Sequence, residues 1–122
     1  MAITSVIAQL RTTDLGQSIW FYTEKVGLTL EFRYEDFYAG IRAGHQIFHL
    51  KLADEKDPTI EFVDKGDHFH LYFWTDDIQA TADMLQRNGV RLVTDVHDTP
   101  WGTRECAIKD DQGHTLYFGQ QP

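Results

Sequence analysis

The chain has 122 residues, 42% of them hydrophobic, which is enough to bury one core and too apolar for disorder. Its formal charge of −8 repels phosphate backbones, argues against a nucleic-acid partner and suits a cationic ligand. The single cysteine, Cys106, excludes an internal disulfide and a Cys-based zinc cluster. No apolar run reaches membrane-spanning length, and Met1–Leu10 lacks the basic start of a signal peptide. The expectation is a cytoplasmic protein with no membrane partner and with Cys106 as an inert core thiol.

In chain order, Ile3–Arg11 reads as a strand, with Val6, Ala8 and Leu10 on one face and Ile7 and Gln9 on the other. Asp14 then offers an N-cap, and a helix over Asp14–Val26, striped by Leu15, Ile19, Tyr22 and Val26, stops at Gly27. Trp20 falls off that stripe, where its indole needs cover. Leu28–Arg33, Phe37–Arg42 and Gln46–Leu52 read as strands, the last two joined at Gly44-His45. Ala53–Gly66 is a long acidic connection.

The pattern then restarts. Asp67–Asp77 holds the central stretch, a strand over His68–Trp74 that runs into a helix cap. Alternation predicts Phe69, Leu71 and Phe73 on a core face. It puts His68, His70, Tyr72 and Trp74 on the other, a row of imidazoles and aromatics that a pocket uses and a core does not. A second helix spans Asp77–Asn88 with Ile78, Ala82 and Leu85 as its stripe. Strands Val90–Val96, Arg104–Lys109 and Thr115–Phe118 follow, the last two joined by the turn Asp110–Gly113. Asp14 answers to Asp77 and Gly27 to Gly89, so a β-α-β-β-β unit occurs twice, over about 1–53 and 67–122. The fold class is α+β. Two such modules form curved mixed sheets around a concave cleft, with two helices outside, in a single domain over residues 1–122.

Arg11–Asp14, the Phe21-Tyr22 pair, Gly27, the run Trp101-Gly-Thr-Arg-Glu105 and Asp110–Gly113 together resemble the vicinal oxygen chelate superfamily, which includes glyoxalases, extradiol dioxygenases and bleomycin resistance proteins. Asp36–Gly40, Pro100–Glu105 and the ending Leu116–Gly119 are most similar to the bleomycin resistance proteins. The resemblance implies four concave-face positions that hold metal in some members. Here they fall on Ile7, His49, His70 and Tyr117. Isoleucine binds no metal and a neutral phenol binds it poorly, so the cofactor expectation is none. The alternative is a divalent zinc or iron held by His49 and His70, with His68 or water completing the shell.

The resemblance implies a drug-sequestering, antibiotic-resistance type of protein that holds a planar, cationic small-molecule ligand without converting it. It also implies a homodimer whose cleft is shared between subunits. The ligand-binding residues expected are His49, His70, Tyr72, Trp74, Trp101, Glu105 and Tyr117, with His68 nearby. The second reading is an enzyme of the same fold, a metal-dependent lyase, isomerase or dioxygenase. No nucleophile triad or phosphate loop appears.

Overall fold

Two threonine–aspartate corners start the two halves in the same way. In the computed structural model, which describes residues 1–122, Asp14 and Asp77 are N-caps with nearly identical backbones, φ −147° and ψ 93° against φ −147° and ψ 95°. Asp14 accepts from the Gln17 amide and Asp77 from the Ala80 amide, each at 3.0 Å. One residue pair backs each corner: the Thr12 and Ser18 hydroxyls meet at 2.7 Å, as do those of Thr75 and Thr81. Each cap satisfies an amide that the first helical turn leaves free.

Strand β1 (Gln9–Thr12) leads into helix α1 (Leu15–Trp20), which runs on through a wide π-type turn, Phe21–Lys25. Strands β2 (Thr29–Tyr34), β3 (Tyr38–Ala43) and β4 (Gln46–Leu52) complete a first sheet in the order β1-β4-β3-β2. The second half repeats this with β5 (Leu71–Trp74), β6 (Thr94–Asp98), β7 (Arg104–Lys109) and β8 (Thr115–Gln120), in the order β5-β8-β7-β6. In both sheets the first strand pairs in parallel with the last, and the other pairs are antiparallel. The two-module α+β architecture read from the sequence is present.

Helix α1 and the helix Ile78–Arg87 each pack a stripe on the inward face of a sheet. Leu15, Ile19, Phe21 and Tyr22 are buried on one side, and Ile78, Ala82 and Leu85 on the other. The alternation of β4 buries Phe48 and Leu50, and that of β7 buries Cys106 and Ile108. Phe48 meets Tyr22 edge-on at 5.1 Å and Phe73 at 6.1 Å, so one apolar cluster runs through both modules. Trp20 is half exposed and finds its cover in the Lys25 ammonium, 4.9 Å from the ring centroid.

Three expectations are corrected. The opening strand is short: only Gln9–Thr12 is ladder, and Ile3 and Val6 are 89% exposed. Beyond Ala8, whose carbonyl accepts from the His49 amide, this edge has no partner in the chain. There are three helices rather than two. The connection Ala53–Gly66 contains α2 (Thr59–Asp64), opened by Asp57, whose carboxylate accepts from the Thr59 amide and hydroxyl at 2.9 and 2.7 Å, and by Pro58, whose fixed φ suits a helix start. Lastly, regular strand geometry in the central stretch begins at Leu71 rather than His68, so the alternation predicted for residues 68–70 fails.

The modules are tied together at the β7–β8 turn. Asp110 Oδ1 accepts from the amides of Gln112, Gly113 and His114 at 2.8–2.9 Å, while Oδ2 accepts from the Tyr22 hydroxyl at 2.6 Å. Ser18 donates to Asp111 at 2.7 Å, and Thr13 N–H to Gln112 at 3.1 Å. The turn of the second module is therefore a plug in the helix of the first. No helix is long and apolar enough to cross a membrane.

Candidate functional site

The outer, concave face of the second sheet is a cavity. Strand β5 sends Leu71 and Phe73 to the core cluster and leaves Tyr72 and Trp74 on the opposite side. Strand β8 buries Leu116 and Phe118 and presents Tyr117, and β7 presents Glu105 and Ala107. Trp101, 70% exposed in the β6–β7 loop, closes one wall of a space of about 820 Å³. That size accommodates a drug-sized ligand.

At the floor sits a carboxylate. Glu105 is buried at 6% exposure. It accepts from the Tyr72 hydroxyl at 2.5 Å and the Thr103 hydroxyl at 3.3 Å. Its hydrogen-bond partners are hydroxyls, and no cation pairs with it. Asp67 and Asp98 also line the cavity, and the lining includes no lysine or arginine. Burial, then the Glu105 hydrogen bond and charge, push the Tyr72 phenol up to about 12, so it stays a donor at neutral pH. Gly119 makes this arrangement possible, because a Cβ there would fall on the Tyr72 ring. Tyr72 in turn meets Trp74 edge-on at 4.9 Å, and Phe69 touches both Tyr72 and Tyr117, at 5.4 and 5.2 Å. The chemistry on offer is aromatic contact around a desolvated negative charge.

Of the residues expected from the sequence, Tyr72, Trp74, Trp101, Glu105 and Tyr117 lie together in this cavity. The histidines do not. His49 is on the first sheet, where Tyr38 Oη accepts from Gln9 at 2.9 Å and lies 2.9 Å from His49 Nδ1, with Phe32 edge-on at 5.4 Å. His68 stacks on Phe62 at 6.2 Å. His70 turns out of the strand row toward α2: the Thr115 N–H donates to its Nδ1 at 3.1 Å and its Nε2 lies 3.1 Å from the Thr59 hydroxyl. Phe69 moves the opposite way, from expected core to cavity wall and 46% exposure. Both departures have one cause, the irregular backbone before Leu71. His97, Asp98 and Asp67 also join the lining. The register shift between β6 and β7 aims His97, and no sequence pattern marks it.

The four positions at which the resemblance implies a metal are ill suited to one. Ile7 has no donor, and Tyr117 is pushed up by burial and by the charges of Asp67 and Glu105, away from the phenolate a metal needs. His70 is turned from this face toward α2, where the Thr59 hydroxyl and the Thr115 amide meet its two nitrogens. We derive no step through a metal at these positions.

Residues 4–118 match the Glyoxalase/Bleomycin resistance protein/Dioxygenase superfamily. A "Probable lactoylglutathione lyase" from Vibrio parahaemolyticus is 31% identical over 116 residues, 88% of this chain and 83% of that protein. Among solved structures, the bleomycin-binding protein of Streptomyces verticillus, complexed with copper(II)-bleomycin, superposes with a TM-score of 0.74 at 18% identity, covering 100% of this chain and 98% of that one. A lactoylglutathione lyase from Agrobacterium tumefaciens gives 0.73 at 17% identity, covering 98% and 95%. The fold, the extent of the match and the sequence relative agree: the chain belongs to the glyoxalase/bleomycin resistance protein/dioxygenase superfamily.

Proposed function

We propose that the protein is a drug-sequestering, small-molecule binding protein that holds a planar, cationic ligand without converting it. The observation that carries this reading is Glu105, a buried carboxylate bonded only to hydroxyls at the floor of an aromatic cavity. A cationic group on a ligand offsets the cost of burying that charge, and aromatic walls accept a flat ring system. The cleft uses no metal in this reading. The protein acts as a homodimer in the cytoplasm. The bare concave face of one subunit's first module, with Phe32, Tyr38 and His49, covers the cavity of the other's second module.

A second reading is favoured by a specific observation, the sequence relatives named lactoylglutathione lyase. It makes the protein a metal-dependent lyase using His49 and His70. Glutathione derivatives are anionic, and a cavity that carries Asp67 and Glu105, neither paired with a cation, and no lysine or arginine in its lining repels them. Calorimetric titration with bleomycin, beside a lactoylglutathione lyase assay with zinc and with nickel, separates the two. Binding without turnover is expected, with a dimer mass by light scattering. Turnover that is lost in His49→Ala overturns the binding reading.

A further inference from the structure

Outside the cavity, three side chains from separate segments converge at the end of the second module. Asp57 precedes α2 in the intermodule connection, His70 precedes β5, and His114 closes the β7–β8 turn. Donor atoms of the three all lie within 4.8 Å of one another. His114 Nε2 is 3.4 Å from Asp57 Oδ2, and the two imidazoles meet edge-on with centroids 4.8 Å apart. His114 is 1% exposed and Asp57 8%.

Each of these groups is already oriented through its other atom. His114 Nδ1 is held at 2.8 Å by Asp110, whose remaining oxygen is saturated by three amides. Asp57 Oδ1 takes the Thr59 amide and hydroxyl, which leaves Oδ2 directed at His114. His70 Nδ1 takes the Thr115 amide. A carboxylate behind a histidine that offers its far nitrogen is the supporting arrangement that metal-binding imidazoles use.

We propose that Asp57, His70 and His114 form a binding site for a divalent transition-metal ion of the zinc class, separate from the cleft. Two imidazole nitrogens and one carboxylate oxygen suit zinc rather than calcium or magnesium, with water as fourth ligand. The ion takes the place of the proton that His114 Nε2 directs at Asp57. His70 joins by moving its Nε2 proton to Nδ1, or by binding through Nδ1. Either route gives up the Thr115 hydrogen bond, one neutral contact against a new coordinate bond. The site revises the expectation of a metal-free chain and leaves the cleft untouched. Its effect is mechanical, clipping the connection that carries α2 onto β5 and the β7–β8 turn.

The test uses the full-length protein stripped with chelator and titrated with zinc chloride by calorimetry, with thermal melting followed by circular dichroism. The expected result is one zinc per chain and a higher melting temperature. Asp57→Asn and His70→Gln should each weaken zinc at least about tenfold while melting cooperatively without metal. His49→Ala should bind zinc as wild type does. A cobalt(II) derivative should show the intense visible bands of a low-coordinate nitrogen–oxygen site, lost in Asp57→Asn. Absence of stoichiometric zinc uptake overturns the proposal. So does uptake that survives in both Asp57→Asn and His70→Gln, or that disappears in His49→Ala.

Discussion

The two modules share a scaffold and differ in what they attach to its concave face and its last turn. In the first, the β3–β4 turn at Gly44-His45 is a plain hairpin, and the face carries Tyr38 bonded to His49. In the second, the equivalent turn is a hydrogen-bonded plug that reaches the other module's helix, and the face carries Tyr72 bonded to a buried carboxylate. Each sheet has a close-approach glycine, though on a different strand: Gly40 of β3 lies under Phe32, and Gly119 of β8 lies under Tyr72. The repeat supplies the curved platform, while a few side chains per module decide whether it is an open half or a lined cavity. The second module thus holds both the turn that ties the modules together and the carboxylate that lines the cavity.

The largest effect expected follows from the turns. Asp110→Asn removes the charge that faces Tyr22, His114 and three amides, and should cost about 3 kcal/mol in urea unfolding. His45→Ala, in the other turn, should stay within about 0.5 kcal/mol. The same pair gives stability a pH window. Burial works to raise the Asp110 carboxyl, but the His114 hydrogen bond and charge outweigh it and hold it below 3.8. Burial works to lower His114, but Asp110 and then Asp57 outweigh it and hold it above 6.5. A lowered carboxyl loses its contribution as pH falls through its folded pKa. A raised imidazole loses its contribution as pH rises through its own. Chelator-treated protein should therefore be most stable between these two values and weaken on both sides. Asp110→Asn should flatten both limbs, and a pH profile unchanged by that substitution would remove the pair from the account.

Next comes the charge in the cavity. Glu105→Gln should weaken a cationic ligand by about 2 kcal/mol, roughly thirtyfold, when a buried charge pair loses one partner. Glu31→Gln, which breaks an exposed pair with Arg42 on the first sheet, should leave affinity unchanged. Equal affinities for wild type and Glu105→Gln in a calorimetric titration would mean that the carboxylate is structural. Tyr72→Phe tests the same contact more gently, because it deletes one donor and leaves the charge.

How much of this was legible in the sequence depends on periodicity. The caps, stripes and terminating glycines recur at matched spacing, so the doubled module and its core could be read from Asp14, Asp77, Gly27 and Gly89. Tyr72 and Trp74 were placed by the alternation of a regular strand, whereas Glu105 and Tyr117 were placed by the resemblance, and all four line one cavity. His70 and Phe69 were misplaced because they precede the first regular residue, where hydrogen bonds to Thr59 and Thr115 set direction instead of the pleat. Helix α2 was missed because six residues carry too little periodic signal, though Asp57-Pro58-Thr59 is a helix-opening sequence. The cluster of Asp57, His70 and His114 draws on three distant segments, and spacing alone does not bring them together.

The smallest effect expected belongs to Trp101. The indole stands 70% exposed in the β6–β7 loop and belongs to the cavity wall but not to the core cluster. Trp101→Ala should therefore leave folding stability within about 0.5 kcal/mol of wild type. A stacked aromatic adds about 1 kcal/mol beyond its buried area, so a flat ligand should bind roughly fivefold more weakly. Trp74, also in the wall and 56% exposed, contacts Tyr72 at 4.9 Å; Trp74→Ala should lose comparable affinity and some stability. The first module's loop offers Phe37, 45% exposed, in the corresponding place. Phe37→Ala should affect binding only when a second subunit lays its first module over the cavity. A loss in Trp101→Ala with none in Phe37→Ala, measured on protein whose mass is monomeric, would confine recognition to the second module. A loss in both, on dimeric protein, would make the open half of one subunit the lid of the other.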